Sequence, residues 1–278
     1  MLEGDFVDTI ESKDNSLIKE VKKLNKKKYR IENQQFIIEG FRFVEEALKS
    51  SFEVPYIFIS ENALDKYREF GIDKLIQNNT KINCIKASLL KELCNTENPQ
   101  GILAVVNNKK VNIANKEGFY VLADKVQDPG NMGTIIRSAH ASGALGVIVT
   151  KGTVDVYNDK TLRSTMGSIF NIPIIEDDNF KIIKDLKSNG FKIIVSSLDT
   201  ENNFYDVDLT GKVVICVGNE GNGISKELYE LNDEKVKIPM PGGAESLNAA
   251  VAASIMMYEA VRQKEKQKNI WNFDLLWL

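Results

Sequence analysis

Three clusters of polar and small residues, each directly after an apolar run, hold the side chains best suited to chemistry. The first is Asn131-Met132-Gly133-Thr134-Ile135-Ile136-Arg137, which follows the turn Asp128-Pro129-Gly130. Three-residue steps put Asn131, Thr134 and Arg137 on one helical face, with Asn131 placed to cap the helix start. The second is Gly218-Asn219-Glu220-Gly221-Asn222-Gly223, whose glycines allow close approach of a ligand to backbone amides. In the third, Ile238-Pro239-Met240-Pro241-Gly242-Gly243 leads to Ser246-Leu247-Asn248, predicted to open a helix rich in alanine. Asn, Ser, Glu and Arg can orient a ligand or stabilise a developing oxyanion, yet none of these types is a strong base at neutral pH except by perturbation. Read singly, Asn131 is a cap, Arg137 a surface residue and the glycines a turn.

Several other chemistries are excluded. The single histidine, His140, lies outside these clusters, and Cys84, Cys94 and Cys216 are widely spaced with no Cys-x-x-Cys. No metal-ligand set, disulfide framework or Ser-His-Asp arrangement is present in the pattern. The order Gly-x-x-Gly-x-Gly at 218–223 departs from the dinucleotide fingerprint, and Ile224-Ser225 stands where a phosphate-binding loop needs Lys. A nucleotide-dependent dehydrogenase or NTPase is therefore disfavoured.

The elements that must position these clusters alternate. Strands are predicted at Phe36–Gly40, Val54–Ile59, Ile82–Ile85 and Ile102–Val106, with helices over 14–30, Phe43–Leu48, Ala63–Phe70 and Lys86–Leu93, which is a small α/β layer fold. Residues 108–117 are polar and aperiodic, as a linker would be. Beyond them the continuous apolar runs Phe119–Ala123, Gly146–Val149, Lys192–Ser196, Val213–Val217 and the shorter Val236–Ile238 predict a parallel sheet covered on both faces. A tail, 269–278, carries Trp271, Phe273, Leu275, Leu276, Trp277 and Leu278.

At 278 residues the chain suits two domains, and 43% apolar content is that of a globular protein. No apolar run is long enough for a membrane span, and Met1-Leu2-Glu3-Gly4-Asp5 lacks the basic start of a signal peptide, so a soluble cytoplasmic protein is expected. The net charge of −3 is uneven: residues 13–30 hold eight Lys/Arg against Asp14 and Glu20, a segment of +6 beside a remainder of −9. Lys22, Lys23, Lys26, Lys27 and Arg30 are either a solvated helix face or a nucleic-acid footprint, and charge alone does not decide.

Taken together, Asn131-x-Gly133-x-x-x-Arg137, Gly218-Asn219-Glu220-Gly221 and Ile238-Pro239-Met240 with Ser246-Leu247-Asn248 resemble, in order and spacing, the three motifs of the SpoU/TrmH family of RNA ribose 2′-O-methyltransferases. Asp155–Asn158 and Arg163–Pro173 resemble the segment linking the first two motifs. The resemblance implies an RNA substrate-binding domain over 1–107 of small α/β, L30e-like type, and a parallel-sheet α/β/α SPOUT methyltransferase domain with a trefoil knot over 118–268. The tail 269–278 has no counterpart. It implies S-adenosylmethionine (AdoMet) as cofactor, no metal, and a homodimer built through the C-terminal domain. Arg137, Asn131, Glu220, Ser246 and Asn248 would be catalytic, Arg137 by binding phosphate and developing alkoxide while Asn131 and Glu220 hold its guanidinium. Val217, Gly218, Asn219, Gly221, Ile238, Met240 and Leu247 would hold the cofactor. Lys22, Lys23, Lys26, Lys27, Arg30 and Arg163 would contact RNA, with 23S ribosomal RNA favoured over transfer RNA. The rival within the same fold is a catalytically silent RNA-binding factor, which predicts damaged motif residues.

Overall fold

The computed structural model describes residues 9–76 and 79–274, the side chains of 268–274 excepted. In chain order the first elements are α1 (Ser16–Lys23), α2 (Lys27–Asn33), β1 (Gln35–Glu39), α3 (Phe41–Lys49), β2 (Tyr56–Ser60), α4 (Leu64–Glu69), β3 (Lys81–Ile85), α5 (Ala87–Leu93) and β4 (Ile102–Asn107). There follow β5 (Gly118–Ala123), α6 (Pro129–Ala141), β6 (Gly146–Thr150), α7 (Asp159–Thr165), β7 (Ile174–Asp177), α8 (Lys181–Ser188), β8 (Lys192–Ser196), β9 (Lys212–Val217), α9 (Lys226–Leu231), β10 (Glu234–Val236) and α10 (Ala249–Asp274). The chain divides into two compact units, Met1–Lys110 with Asp155–Phe170, and Val111–Val154 with Asn171–Leu278.

The first unit is built on a four-stranded sheet of order β1-β4-β2-β3, antiparallel except for the β2–β3 pair. The basic stretch predicted as one helix over 14–30 is two, because the chain turns at Leu24–Lys26. That turn keeps Leu24 in the same core as Ile18 and Val21, against Leu89, Leu90 and Leu93 of α5. Asn15 caps α1, its side chain accepting from the amides of Leu17 and Ile18. Residues 155–170 group with this unit through aromatic packing: the Tyr157 ring stacks on Phe36 at 4.7 Å, and Phe170 lies 5.3 Å from Phe43 and 5.4 Å from Phe52.

The second unit holds a six-stranded, wholly parallel sheet of order β10-β8-β9-β5-β6-β7. Its central strands are buried along their length, which is why they read as unbroken apolar runs. Helices α6 and α10 pack together on one face, while α8 and α9 cover the other through Ile183, Leu186 and Leu228. The helix after β5 and the helix after β9 thus lie on opposite faces although the two strands are neighbours. Their carboxyl ends form a topological switch point, where ligands of open α/β sheets bind. Two elements differ from expectation. Strand β7 is absent from the sequence reading, and the last strand is Glu234–Val236 rather than Val236–Ile238. Pairing with Ile194–Ser196 of β8 sets that register, and Lys237 already leaves the strand to bridge Asn203. Among the described residues no helix is long and apolar enough to cross a membrane. The aromatic tail lies outside the residues whose side chains are described.

Candidate active site

Three loops meet at the carboxyl ends of β5 and β9. The first helix start differs from expectation: Asp128, not Asn131, caps α6, its carboxylate accepting from the Asn131 amide at 2.7 Å. Pro129 then takes the first helical position, where its missing N–H costs nothing. Asn131 is left one turn in, with its side-chain amide available. That amide donates to Glu220 Oε1 at 2.9 Å, and its carbonyl oxygen accepts from Asn248 Nδ2 at 2.8 Å. Asn248 in turn caps α10, its Oδ1 accepting from the amides of Ala250 and Val251. The helix therefore begins at Ala249, and Ser246 is an exposed loop residue before it. A carboxylate and two side-chain amides so connect residues from all three motifs. The Asn131 side chain, donor and acceptor in one group, passes the chain on at both ends.

Glu220 is held from several sides. Burial pushes its carboxyl up, but the Asn131 amide and the backbone amides of Gln127 and Asp128 outweigh this and hold it below its ordinary value. Behind it the 218–223 loop is a closed turn. Asn219 and Gly223 exchange two backbone hydrogen bonds of 2.9 Å, and Asn219 Oδ1 accepts from the amides of Gly221 and Asn222. Asn219 Nδ2 crosses to the Lys125 carbonyl at 2.9 Å, tying this loop to the end of β5. A Cβ at Gly218 would stand 2.2 Å from the Gly223 carbonyl carbon, so the closure admits only glycine there.

Arg137 is not held as expected. It is exposed, and Glu220 and Asn131 bond to each other instead. The guanidinium makes no hydrogen bond or ion pair among the described residues and is open to an anionic ligand.

Of the residues expected to hold a cofactor, Val217 and Ile238 are buried and Leu247 and Met240 half-buried. Val217 can reach a ligand only through its backbone. Within 240–247 the one internal backbone hydrogen bond among the described residues runs from Gly243 N to Met240 O. The remaining exposed amides and carbonyls beside the apolar Leu247 and Ile238 suit a ligand with an apolar ring and polar edges. The residues present fit the adenosyl group of AdoMet.

Two residues of this region were missed in the sequence. Asp124, fully buried at the end of β5, accepts from the Thr150 hydroxyl at 2.8 Å and the Ser225 amide at 2.6 Å. It clasps both ends of the site to β6. An acidic residue closing a continuous apolar strand was the available signal. Lys125 next to it sits in the left-handed region at φ 57°, and with Gln127, Asn219, Asn222 and Ser225 it lines a cavity of about 270 Å³. Cys216 is buried, and its thiol is pushed well above its ordinary value by burial and by Asp124, so it is chemically quiet. Among the described residues no group of acidic, His or Cys side chains could hold a metal.

The expected RNA contacts lie in the first unit. Lys26 and Lys27 are exposed, Lys22 pairs with Glu92 and Lys23 with Glu20 at the surface, and Arg163 pairs with Asp159. Arg30 differs: its guanidinium is sequestered by Asp155 and the Leu24 carbonyl, with 11% of the side chain exposed.

Residues 118–258 match the SpoU rRNA Methylase family. The chain belongs to that family. Residues 15–104 of this SpoU-family protein match the MRM3-like substrate binding domain. It is 36% identical over 249 residues to the 23S rRNA (guanosine(2553)-2′-O)-methyltransferase RlmP of Bacillus subtilis, spanning 90% of this chain and 97% of that protein. The SpoU methyltransferase AviRb from Streptomyces viridochromogenes, solved in complex with the cofactor AdoMet, is 31% identical with a TM-score of 0.82, spanning 90% and 98% of the two chains. An AdoMet-bound rRNA methyltransferase from Sinorhizobium meliloti is 29% identical with a TM-score of 0.80, over 92% and 97%.

Proposed function

We propose that this SpoU-family protein methylates a ribose 2′-hydroxyl of 23S ribosomal RNA. The observation that carries this reading is the hydrogen-bonded chain Asn248–Asn131–Glu220, which joins the three motifs at the switch point of the parallel sheet. AdoMet, when bound, supplies an activated methyl group, so the protein's task is alignment of the attacking hydroxyl. Ile238, Leu247 and Met240 would pack the adenosine, with backbone groups of Val217, Gly218, Asn219 and Gly221 at its edge. Arg137, cationic at neutral pH, would bind the phosphate beside the target ribose and stabilise oxygen as its proton leaves. Asn131, Glu220 and Asn248 would keep the loops fixed around it, and Ser246 would meet the substrate. Lys22, Lys23, Lys26, Lys27 and Arg163 offer charge to the RNA backbone.

We further infer that the domains run 1–107 and 118–268, that the segment leading to α10 is threaded as a trefoil knot, and that the protein works in the cytoplasm as a homodimer through the C-terminal domain. The decisive experiment is mapping of 2′-O-methylation in ribosomal and transfer RNA from cells with and without the protein. Loss of one site in 23S ribosomal RNA supports the reading; loss confined to transfer RNA moves the substrate, and no loss leaves only an RNA-binding role. With purified protein, Arg137→Ala should cut methyl transfer by at least a hundredfold while calorimetry shows AdoMet binding unchanged. Near-normal turnover would contradict the role of Arg137.

A further inference from the structure

We propose that the first unit holds a pocket for an unpaired guanine base, recognised by Glu39. The proposal rests on the RNA reading above and specifies what the first unit recognises. The cavity has a volume of about 270 Å³. That is below the roughly 300–1,000 Å³ of sites for drug-sized molecules, and suited to a single base. Its apolar wall includes Leu24 and Leu103; Tyr157 adds an aromatic side chain, and Glu39, Asn95 and Lys160 add polar groups. Leu24 and Asn25 of this wall sit in the turn between α1 and α2, so Lys22, Lys23, Lys26 and Lys27 flank the cavity in sequence. A phosphate backbone held by those lysines would present its bases at the opening.

The chemistry of the wall selects the base. Glu39 is half-buried, and among the described residues it has no cationic partner. The Thr96 hydroxyl donates to its Oε1. Burial and the Glu39 charge push the Cys94 thiol far up, so it stays protonated beside the carboxylate. A carboxylate has about four acceptor sites, so acceptor capacity is left over, in a place where desolvation makes an unused acceptor costly. Guanine alone among the standard bases carries two adjacent N–H donors, N1–H and the exocyclic amine, on its pairing edge. Adenine and cytosine put a ring acceptor beside their amine, and uracil sets its single donor between two carbonyls. Single-stranded RNA is read in this way, by unstacked bases whose edges meet side chains.

The test uses the native full-length chain and 5′-fluorescein-labelled 12-mer oligouridine strands carrying one central guanosine, adenosine, inosine or N1-methylguanosine, with affinity read by anisotropy. The guanosine strand should bind about tenfold tighter than the adenosine strand, as expected for one two-point contact. Inosine should fall between them, and N1-methylguanosine should match adenosine. Glu39→Gln should erase the preference while binding to the adenosine strand is kept. Equal affinity for guanosine and adenosine in the native protein overturns the pocket, and so does a preference that Glu39→Gln leaves intact. The modified bases need no variant, so a folding defect in Glu39→Gln cannot mask the outcome. Methyl transfer from labelled AdoMet to total RNA, run on the same preparation, separates the two levels. Transfer without base preference removes the pocket alone, whereas no transfer and no AdoMet binding removes the RNA reading with it.

Discussion

Substituting Asp124 by Asn tests whether one buried carboxylate holds the site together. Its two hydrogen bonds, 2.8 Å from Thr150 Oγ1 and 2.6 Å from the Ser225 amide, join β5, β6 and the end of the 218–225 loop. Hydrogen bonds to charged groups contribute about 1.5–3 kcal/mol each, neutral ones about 0.5–1.5. Asn keeps one acceptor for the Ser225 amide but turns an NH₂ towards Thr150. That hydroxyl already accepts from the Lys125 amide at 3.1 Å and must rotate to accept again. The loss is the charge assistance of two bonds, about 1.5–3 kcal/mol in all. The fitting assay is amide hydrogen exchange on peptides covering 216–226, because the perturbation opens this loop before the whole chain unfolds. At about 1.4 kcal/mol per tenfold, exchange at Ser225 should quicken by about ten- to a hundredfold. AdoMet affinity should fall with it. Asp124→Ala, which orphans both donors, should cost more, about 3–5 kcal/mol. Exchange within threefold of the native rate in Asp124→Asn would refute the clasp.

Three further outcomes are expected. Gly218→Ala forces a Cβ against the Gly223 and Ile224 backbone at 2.2–2.5 Å, neither able to yield cheaply, so calorimetry should show AdoMet binding weakened by at least tenfold. The Glu220 carboxyl, held below its ordinary 4.5 mainly by hydrogen bonds that outweigh burial, is linked to stability with the depressed sign: its contribution is present above the unfolded value and is lost as pH falls through the folded one. NMR titration should show the Glu220 carboxyl ionised below pH 4.5, and Asn131→Ala should move its titration upward. An unchanged titration would show that Asn131 is not its main donor. Arg30→Ala should destabilise the first unit by about 3 kcal/mol in urea unfolding, because it strands the half-buried Asp155 carboxylate. Weakened RNA binding with intact stability would instead make Arg30 an RNA contact first.

The sequence by itself determined the class of the fold and, through its motifs, three residues that the structure brings together. Continuous apolar strands such as Val213–Val217 announce burial on both faces, because an unbroken apolar run leaves neither face of the strand suited to water. The motif resemblance singled out Asn131, Glu220 and Asn248, and these three side chains meet. The tertiary structure decided which groups bond to which. Asp128 rather than Asn131 caps α6 because Pro129 fixes the first turn, and that frees the Asn131 amide for Glu220. Arg137 bonds to neither, because Asn131 and Glu220 take each other as partners. Arg30, a lysine-like surface charge on composition, is claimed by Asp155, 125 residues away. The partners of strand β7 and of Asp124 were invisible for the same reason: they are remote in sequence, and local pattern carries no record of a remote partner.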